Sequence, residues 1–268
     1  MIDVQGHRGA RGYLPENTLP SFARALEIGV STLELDVGVT RDGVVVIRHD
    51  RGLNPDIARD ADGQWVRKQV PIQALTYAEL QRYDVGRLRP GSSYARHFPQ
   101  QQPLDGTRIP RLAELFSLTK NHATVRFNIE PKMDADAPNE TLPAEPFARA
   151  LIAEVRKAGM QQRTTVQAFH WPALKVVERE APEMATVYCT EGAGSDPARV
   201  REAGGKIWSP DFEQVTPAKL AQARQWGMKI TVWTVNEPAD IARMIDMGVD
   251  GMASDYPDRV LEQLKGKR

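Results

Sequence analysis

The second half of the chain alternates between short β-branched or apolar runs and longer segments whose apolar residues recur at helical spacing. Val125–Ile129, Thr164–Phe169, Ala185–Cys189, Lys206–Ser209, Lys229–Val235 and Gly251–Ser254 read as strands. Pro143–Ala158, Pro172–Glu180, Pro197–Ala203, Pro217–Trp226, Pro238–Met247 and Asp258–Leu264 read as helices. Several open on proline, whose fixed φ suits a first turn, and Gly159, Gly204, Gly227 and Gly248 stand where four of them should cap. Ile2–Gly6 and Thr32–Val39 complete a set of eight strands. That many βα steps in 268 residues predict an α/β chain closed into a (β/α)8 barrel; a doubly wound sheet would need fewer.

The rhythm breaks once, between about residues 50 and 110. "HDRGLNPDIARDADGQW" and "RLRPGSSYARHFPQQQPLDGTRIP" are rich in Arg, Asp, Gly, Pro and Gln. The stretch is too long for an ordinary βα loop, so it reads as a small subdomain inserted after the second strand of a single barrel domain spanning residues 1–268. Insertions of this kind commonly shape a binding site.

Within "TLELDVGVTRDGVVVIRHD" the alternation itself carries chemistry. Leu33, Leu35 and Val37 fall on one face, which turns Glu34 and Asp36 together onto the other, into the barrel or onto its rim. Like charges ~7 Å apart on one strand are costly without a nearby cation. Asp42-Gly43 predicts a two-residue hairpin turn that pairs Arg41 with Val44 and therefore Asp36 with His49. Glu130 and Lys132 repeat the two-residue spacing at the end of another strand, where Pro131 is tolerated. His7 and Arg8, among glycines, end the first strand. The carboxyl ends of barrel strands meet at one face, so these seven residues should converge there. Three carboxylates suit a hard divalent cation, two histidines an acid and a base, and Arg8 and Lys132 an anion; together they suit hydrolysis of a phosphate ester.

Composition narrows the picture only a little. Lys plus Arg and Asp plus Glu both number 35, so no whole-molecule field favours nucleic acid. The single cysteine, Cys189, excludes an intramolecular disulfide. No G-x-S-x-G and no helical H-E-x-x-H occurs, which removes serine-hydrolase and zinc-peptidase readings. The first strand candidate begins at once, without a signal peptide or an apolar run of ~18 residues. A cytoplasmic location follows for the chain as written, a periplasmic or secreted one if a leader has been removed.

"GHRGARGYLPENTLPSFARALEIG", "LELDVGVTRDGVVVIRHD", "IPRLAELF", "NIEPK", "VQAFH", "TVWTVN" and "GVDGMASDYP" together resemble the glycerophosphodiester phosphodiesterases, in order and over nearly the whole chain. The resemblance implies a TIM barrel, a divalent metal (Mg²⁺ or Ca²⁺, with Mn²⁺ possible) and cleavage of glycerophosphodiesters to glycerol 3-phosphate and an alcohol. It implies His7 and His49 as the acid–base pair, Glu34, Asp36 and Glu130 as metal ligands, and Arg8 and Lys132 as phosphate contacts. In "PENT", Asn17 or Thr18 would cap the first helix, and Glu16 reads as structural. Phe169 reads as core packing; Trp233 reads either as a wall of the substrate pocket or as barrel filling. The family's usual Leu and Arg-Thr-Thr step after "HD" is missing, leaving Arg59 as its replacement or as a surface charge, and the alcohol preference open.

Two other readings compete. A phospholipase-type diesterase would need an exposed apolar rim to meet a lipid surface, and a non-catalytic phosphate-binding barrel would be expected to lack at least one of His7, His49, Glu34, Asp36 and Glu130. A small-molecule substrate is expected, with no nucleic acid and no transmembrane segment; the oligomeric state is not legible.

Overall fold

The computed structural model describes residues 2–266. Its strands are β1 (Asp3–Gly6), β2 (Thr32–Val39), β3 (Val45–Ile47), β4 (Arg126–Pro131), β5 (Thr164–Ala168), β6 (Ala185–Thr190), β7 (Ile207–Pro210), β8 (Lys229–Val232) and β9 (Gly251–Ser254). They run in the order β1-β9-β8-β7-β6-β5-β4-β2-β3, and β1 also pairs with β2. All pairings but β2–β3 are parallel, so eight strands close a TIM barrel and β3 lies outside it as an antiparallel flap.

The helices are α1 (Leu19–Ile28), α2 (Tyr77–Leu80), α3 (Ser93–His97), α4 (Leu112–Leu118), α5 (Ala144–Lys157), α6 (Pro172–Glu180), α7 (Pro197–Glu202), α8 (Pro217–Gln225), α9 (Pro238–Met247) and α10 (Pro257–Gly266). Proline occupies the first turn of α6, α7, α8 and α9. Their apolar faces cover the outside of the barrel, where Leu33, Leu35 and Val37 of β2 are fully buried. The inward positions of the same strand are thereby left to Glu34 and Asp36.

The hairpin after β2 differs from its predicted register. Val37 pairs with Ile47, Gly38 with Val46 and Val39 with Val45, one position out of step with an Asp36–His49 pair. The loop has three residues, not two: Thr40 N–H donates to Val44 O at 3.0 Å, and Gly43 takes φ 80°. A left-handed third residue is what this longer hairpin loop requires. Arg48 now stands opposite Asp36 and donates its N–H to the Asp36 carbonyl at 2.9 Å. His49 lies beyond the end of β3, where strand alternation no longer dictates its direction.

Residues 48–111 carry their own apolar cluster of Leu53, Ile57, Ala58, Ile72, Leu80, Val85 and Ile109, seated on Val46. Arg59 sits inside this segment, donating to Asp84 at 2.5 Å and Asp105 at 2.6 Å with its guanidinium over Trp65. It staples the insertion and does not reach the barrel mouth.

Candidate active site at the carboxyl ends of the strands

The loop from β1 to α1 builds one wall. Gly9 has φ 90°, and a Cβ there would lie 2.5 Å from Ser21 Oγ; a Cβ on Gly12 would lie 2.2 Å from the Tyr256 ring. Only glycine lets this loop lie so flat against α1 and the chain after β9. Arg8 (φ 51°) and Asn17 (φ 56°) take the left-handed conformation without being glycine. Both are pinned to the acids of β2: Arg8 N–H donates to Glu34 Oε2 at 2.9 Å, and Asn17 Nδ2 donates to Asp36 Oδ2 at 2.9 Å. Thr18, not Asn17, caps α1, its side chain accepting from Ser21 N–H.

Adjacent β2 and β4 bring Asp36 opposite Glu130. Glu34, Asp36 and Glu130 are all buried, and each offers an oxygen within 4.8 Å of the others. Gln167 of β5 donates to the remaining Glu34 oxygen at 2.7 Å, and Lys132 Nζ donates to Glu130 at 2.8 Å and lies 3.7 Å from Asp36. Burial and the charge of Asp36 push the Glu34 carboxyl well above its usual range. Asp36 is held below its own, because His49, Arg8 and Lys132 outweigh the opposing effect of burial. Even with Arg8, Lys132 and His49 beside them, the three carboxylates keep Glu34 shifted toward its neutral form, the mark of a group short of positive charge. An all-oxygen donor set with that deficit fits a hard divalent cation.

Each histidine turns Nδ1 onto a carboxylate. His7 Nδ1 is 2.7 Å from Asp255 Oδ1, and His49 Nδ1 is 3.0 Å from Asp50 Oδ1. An ionised carboxylate only accepts, so Nδ1 carries the proton in both pairs and Nε2 is left for the pocket. His7 Nε2 is 3.9 Å from Glu34. Burial and the neighbouring Arg11 guanidinium lower the His7 pKa to about 4, against the pull of Asp255. The ring is therefore neutral at neutral pH, with a free lone pair on Nε2.

His7, Arg8, Glu34, Asp36, His49, Glu130, Lys132 and Trp233 all line one pocket of about 130 Å³. Trp233 is outside β8, which ends at Val232 and not at the predicted Val235, and its ring packs edge-on against Phe169 at 5.3 Å. Phe169 likewise follows β5 and lines the pocket, correcting the core-packing reading. An adjoining cleft of about 420 Å³, sharing Phe169 and Cys189 with the pocket, is lined by His170, Trp171, Glu191 and Arg199.

Sequence reasoning missed Asp255, Arg11, Glu16, Asn17 and Gln167 as parts of the site. Asp255 directly follows β9, the same strand-end position that singled out Glu130, and that signal could have found it. Arg11 forks onto Asp255 through Nε at 2.7 Å and Nη2 at 3.1 Å, and Asn236 Nδ2 adds a third donor at 2.7 Å. No residue between 50 and 110 lines the pocket, so the insertion does not form its wall.

The profile of the Glycerophosphoryl diester phosphodiesterase family matches residues 7–259. A glycerophosphodiester phosphodiesterase of Bacillus subtilis is 28% identical over 97% of this chain and 85% of its own. Among solved structures, a Silicibacter pomeroyi protein assigned as a glycerophosphoryl diester phosphodiesterase is 38% identical with a TM-score of 0.94, over 100% of this chain and 94% of that one. An Oleispira antarctica phosphodiesterase, solved with the product sn-glycerol-3-phosphate, shares the fold at 23% identity and a TM-score of 0.78, over 98% and 96% of the two chains.

Proposed function

The chain belongs to the glycerophosphoryl diester phosphodiesterase family, and we propose that its pocket hydrolyses soluble glycerophosphodiesters to glycerol 3-phosphate and an alcohol with the help of one divalent cation. The observation that carries this reading is the cluster of three buried carboxylates with both imidazoles at the same pocket. Glu34, Asp36 and Glu130 would hold the ion, Mg²⁺ or Ca²⁺ by the hardness of the donors, with Mn²⁺ also compatible. When bound, the ion supplies Lewis-acid polarisation of a phosphoryl oxygen and turns the local charge deficit into an excess that favours an anionic diester.

The protein's own groups do the rest. Arg8 and Lys132 contribute charge to the non-bridging oxygens while staying tethered to Asp36 and Glu130. The neutral His7 ring, oriented by Asp255, accepts the proton of the attacking hydroxyl. His49, in the form that carries a proton on Nε2 as well as the Nδ1 proton held by Asp50, gives the Nε2 proton to the departing alcohol. Attack by water yields glycerol 3-phosphate directly, whereas attack by the substrate's own glycerol hydroxyl yields a cyclic phosphate that water then opens. In that opening His7 returns its proton to the released glycerol oxygen and the deprotonated His49 takes one from the water. A pocket of about 130 Å³ accommodates little more than the glycerophosphate moiety, so the alcohol extends toward the cleft between Phe169, Trp171 and Glu191.

The lipid-directed alternative finds less support. Among the described residues Leu104 alone is a large exposed hydrophobic side chain, too little for an apolar rim. The test is glycerol 3-phosphate release from a panel of soluble glycerophosphodiesters and from phospholipid vesicles, each with and without chelator. Release from the soluble panel that stops with chelator is expected; activity on vesicles alone would overturn the reading.

A further inference from the structure

The insertion touches the active site one layer behind the pocket wall. Tyr94, on α3, donates its hydroxyl to Glu16 and accepts from Arg11 Nη1 at 3.1 Å. Phe98 stacks under the Arg11 guanidinium, 4.5 Å from it, and packs edge-on against Tyr94. Gln101 Nε2 donates to the Arg11 carbonyl at 2.8 Å, and Gln102 N–H donates to the Tyr13 carbonyl at 2.8 Å. Residues 94–102 therefore grip Arg11 on its outer nitrogen, its flat face and its backbone. The inner edge of the same guanidinium forks onto Asp255, which orients His7. Glu16, held from outside by Tyr94, holds Arg8 Nη1 from inside at 3.1 Å.

We propose that Tyr94 and Arg11 are positioning residues through which the insertion aligns His7 and Arg8 for the reaction. The proposal rests on the functional reading above for its consequence, and on geometry alone for its structural half. A planar guanidinium can serve two partners at once because its five donors point in fixed directions. Here one edge belongs to Asp255 and the other to Tyr94 and Glu16, so fixing the outer edge fixes the inner one. Without the Tyr94 hydroxyl the buried Glu16 and Arg11 each lose a partner, and both catalytic-side neighbours lose a stop. A displacement of about 1 Å at a reacting group costs on the order of 10²-fold in rate. This explains why an insertion that lines no part of the pocket is nevertheless docked behind its wall through Tyr94, Phe98, Gln101 and Gln102.

Two variants and two readouts test it. Tyr94→Phe removes one hydroxyl and keeps the ring against Phe98; Arg11→Lys keeps the charge and removes the fork. Steady-state kinetics with a soluble glycerophosphodiester should show kcat reduced at least about tenfold in both variants, with KM within about twofold. Nitrogen NMR of the His7 ring should show a single Nδ1–H tautomer in the parent and a mixture in Tyr94→Phe, whether or not the protein turns over that substrate. Wild-type kcat in Tyr94→Phe, or a loss confined to KM, overturns the proposal, as does an unchanged His7 tautomer. An inactive parent protein whose tautomer still shifts in Tyr94→Phe would instead sink the functional reading and leave the clamp standing.

Discussion

At the scale of single residues, His7 and His49 have the same chemistry arranged in different surroundings. His7 is sealed among Arg8, Arg11 and Asp255, while the His49 side chain is 29% exposed. Replacing either by alanine should lower kcat by about 10²–10⁴-fold while ion uptake, followed by calorimetry, is retained. If His49 protonates the departing alcohol, His49→Ala should lose far less activity on a p-nitrophenyl diester than on an alkyl one; equal losses would remove that role. His7 also makes stability depend on pH. Its folded pKa of about 4 lies below the ordinary imidazole value of 6.5. Between those values the unfolded chain takes up a proton that the folded ring refuses, so stability falls as pH drops from 6.5 toward 4. Thermal midpoints should follow that slope in the parent, and His7→Gln should flatten it. The acids were legible because alternation forces Glu34 and Asp36 to one face. Arg11 was not, because it shows no local pattern, and although Asp255 has the strand-end position of Glu130, nothing local joins it to a partner 244 positions away.

Among the elements, the barrel strands were largely readable, since their apolar runs are short, evenly spaced and punctuated by Pro and Gly. Gly159, Gly204, Gly227 and Gly248 take φ of 68°, 81°, 70° and 73°, as left-handed caps must. Strand ends were less legible: Phe169 and Val235 are apolar like the strands they follow, but pocket contacts and loop hydrogen bonds take them out of the ladder. The β2–β3 hairpin shows why register is harder than strand identity. Asp-Gly serves two-residue and three-residue loops alike, and only the ladder distinguishes them. Its Gly43 has open space for a Cβ but φ 80°. Gly43→Ala should therefore cost about 1–2 kcal/mol through backbone conformation alone, lowering the thermal midpoint by a few degrees and leaving kcat unchanged. A loss of kcat at unchanged stability would mean that the turn communicates with His49.

For the whole molecule, a net charge of zero conceals a local imbalance at the barrel mouth. Three buried carboxylates answered by Arg8 and Lys132 are a standing cost in the ion-free protein, and an ion that binds only the folded state stabilises it by about 2.7 kcal/mol at a concentration 100 times its Kd. Millimolar Mg²⁺ or Ca²⁺ should raise the thermal midpoint, and chelator should reverse the shift. Glu34→Gln removes the most strained of the three charges. That variant should be at least as stable as the ion-free parent and should no longer respond to added ion. A parent indifferent to both ions would contradict the charge argument directly.

The most direct measurement is an anomalous-difference map from crystals of this protein soaked in Mn²⁺. One strong peak is expected, within coordination distance of Glu34, Asp36 and Glu130 together and on the pocket side of both imidazoles. A map with no peak among those three carboxylates, or with the ion held elsewhere, would contradict the account.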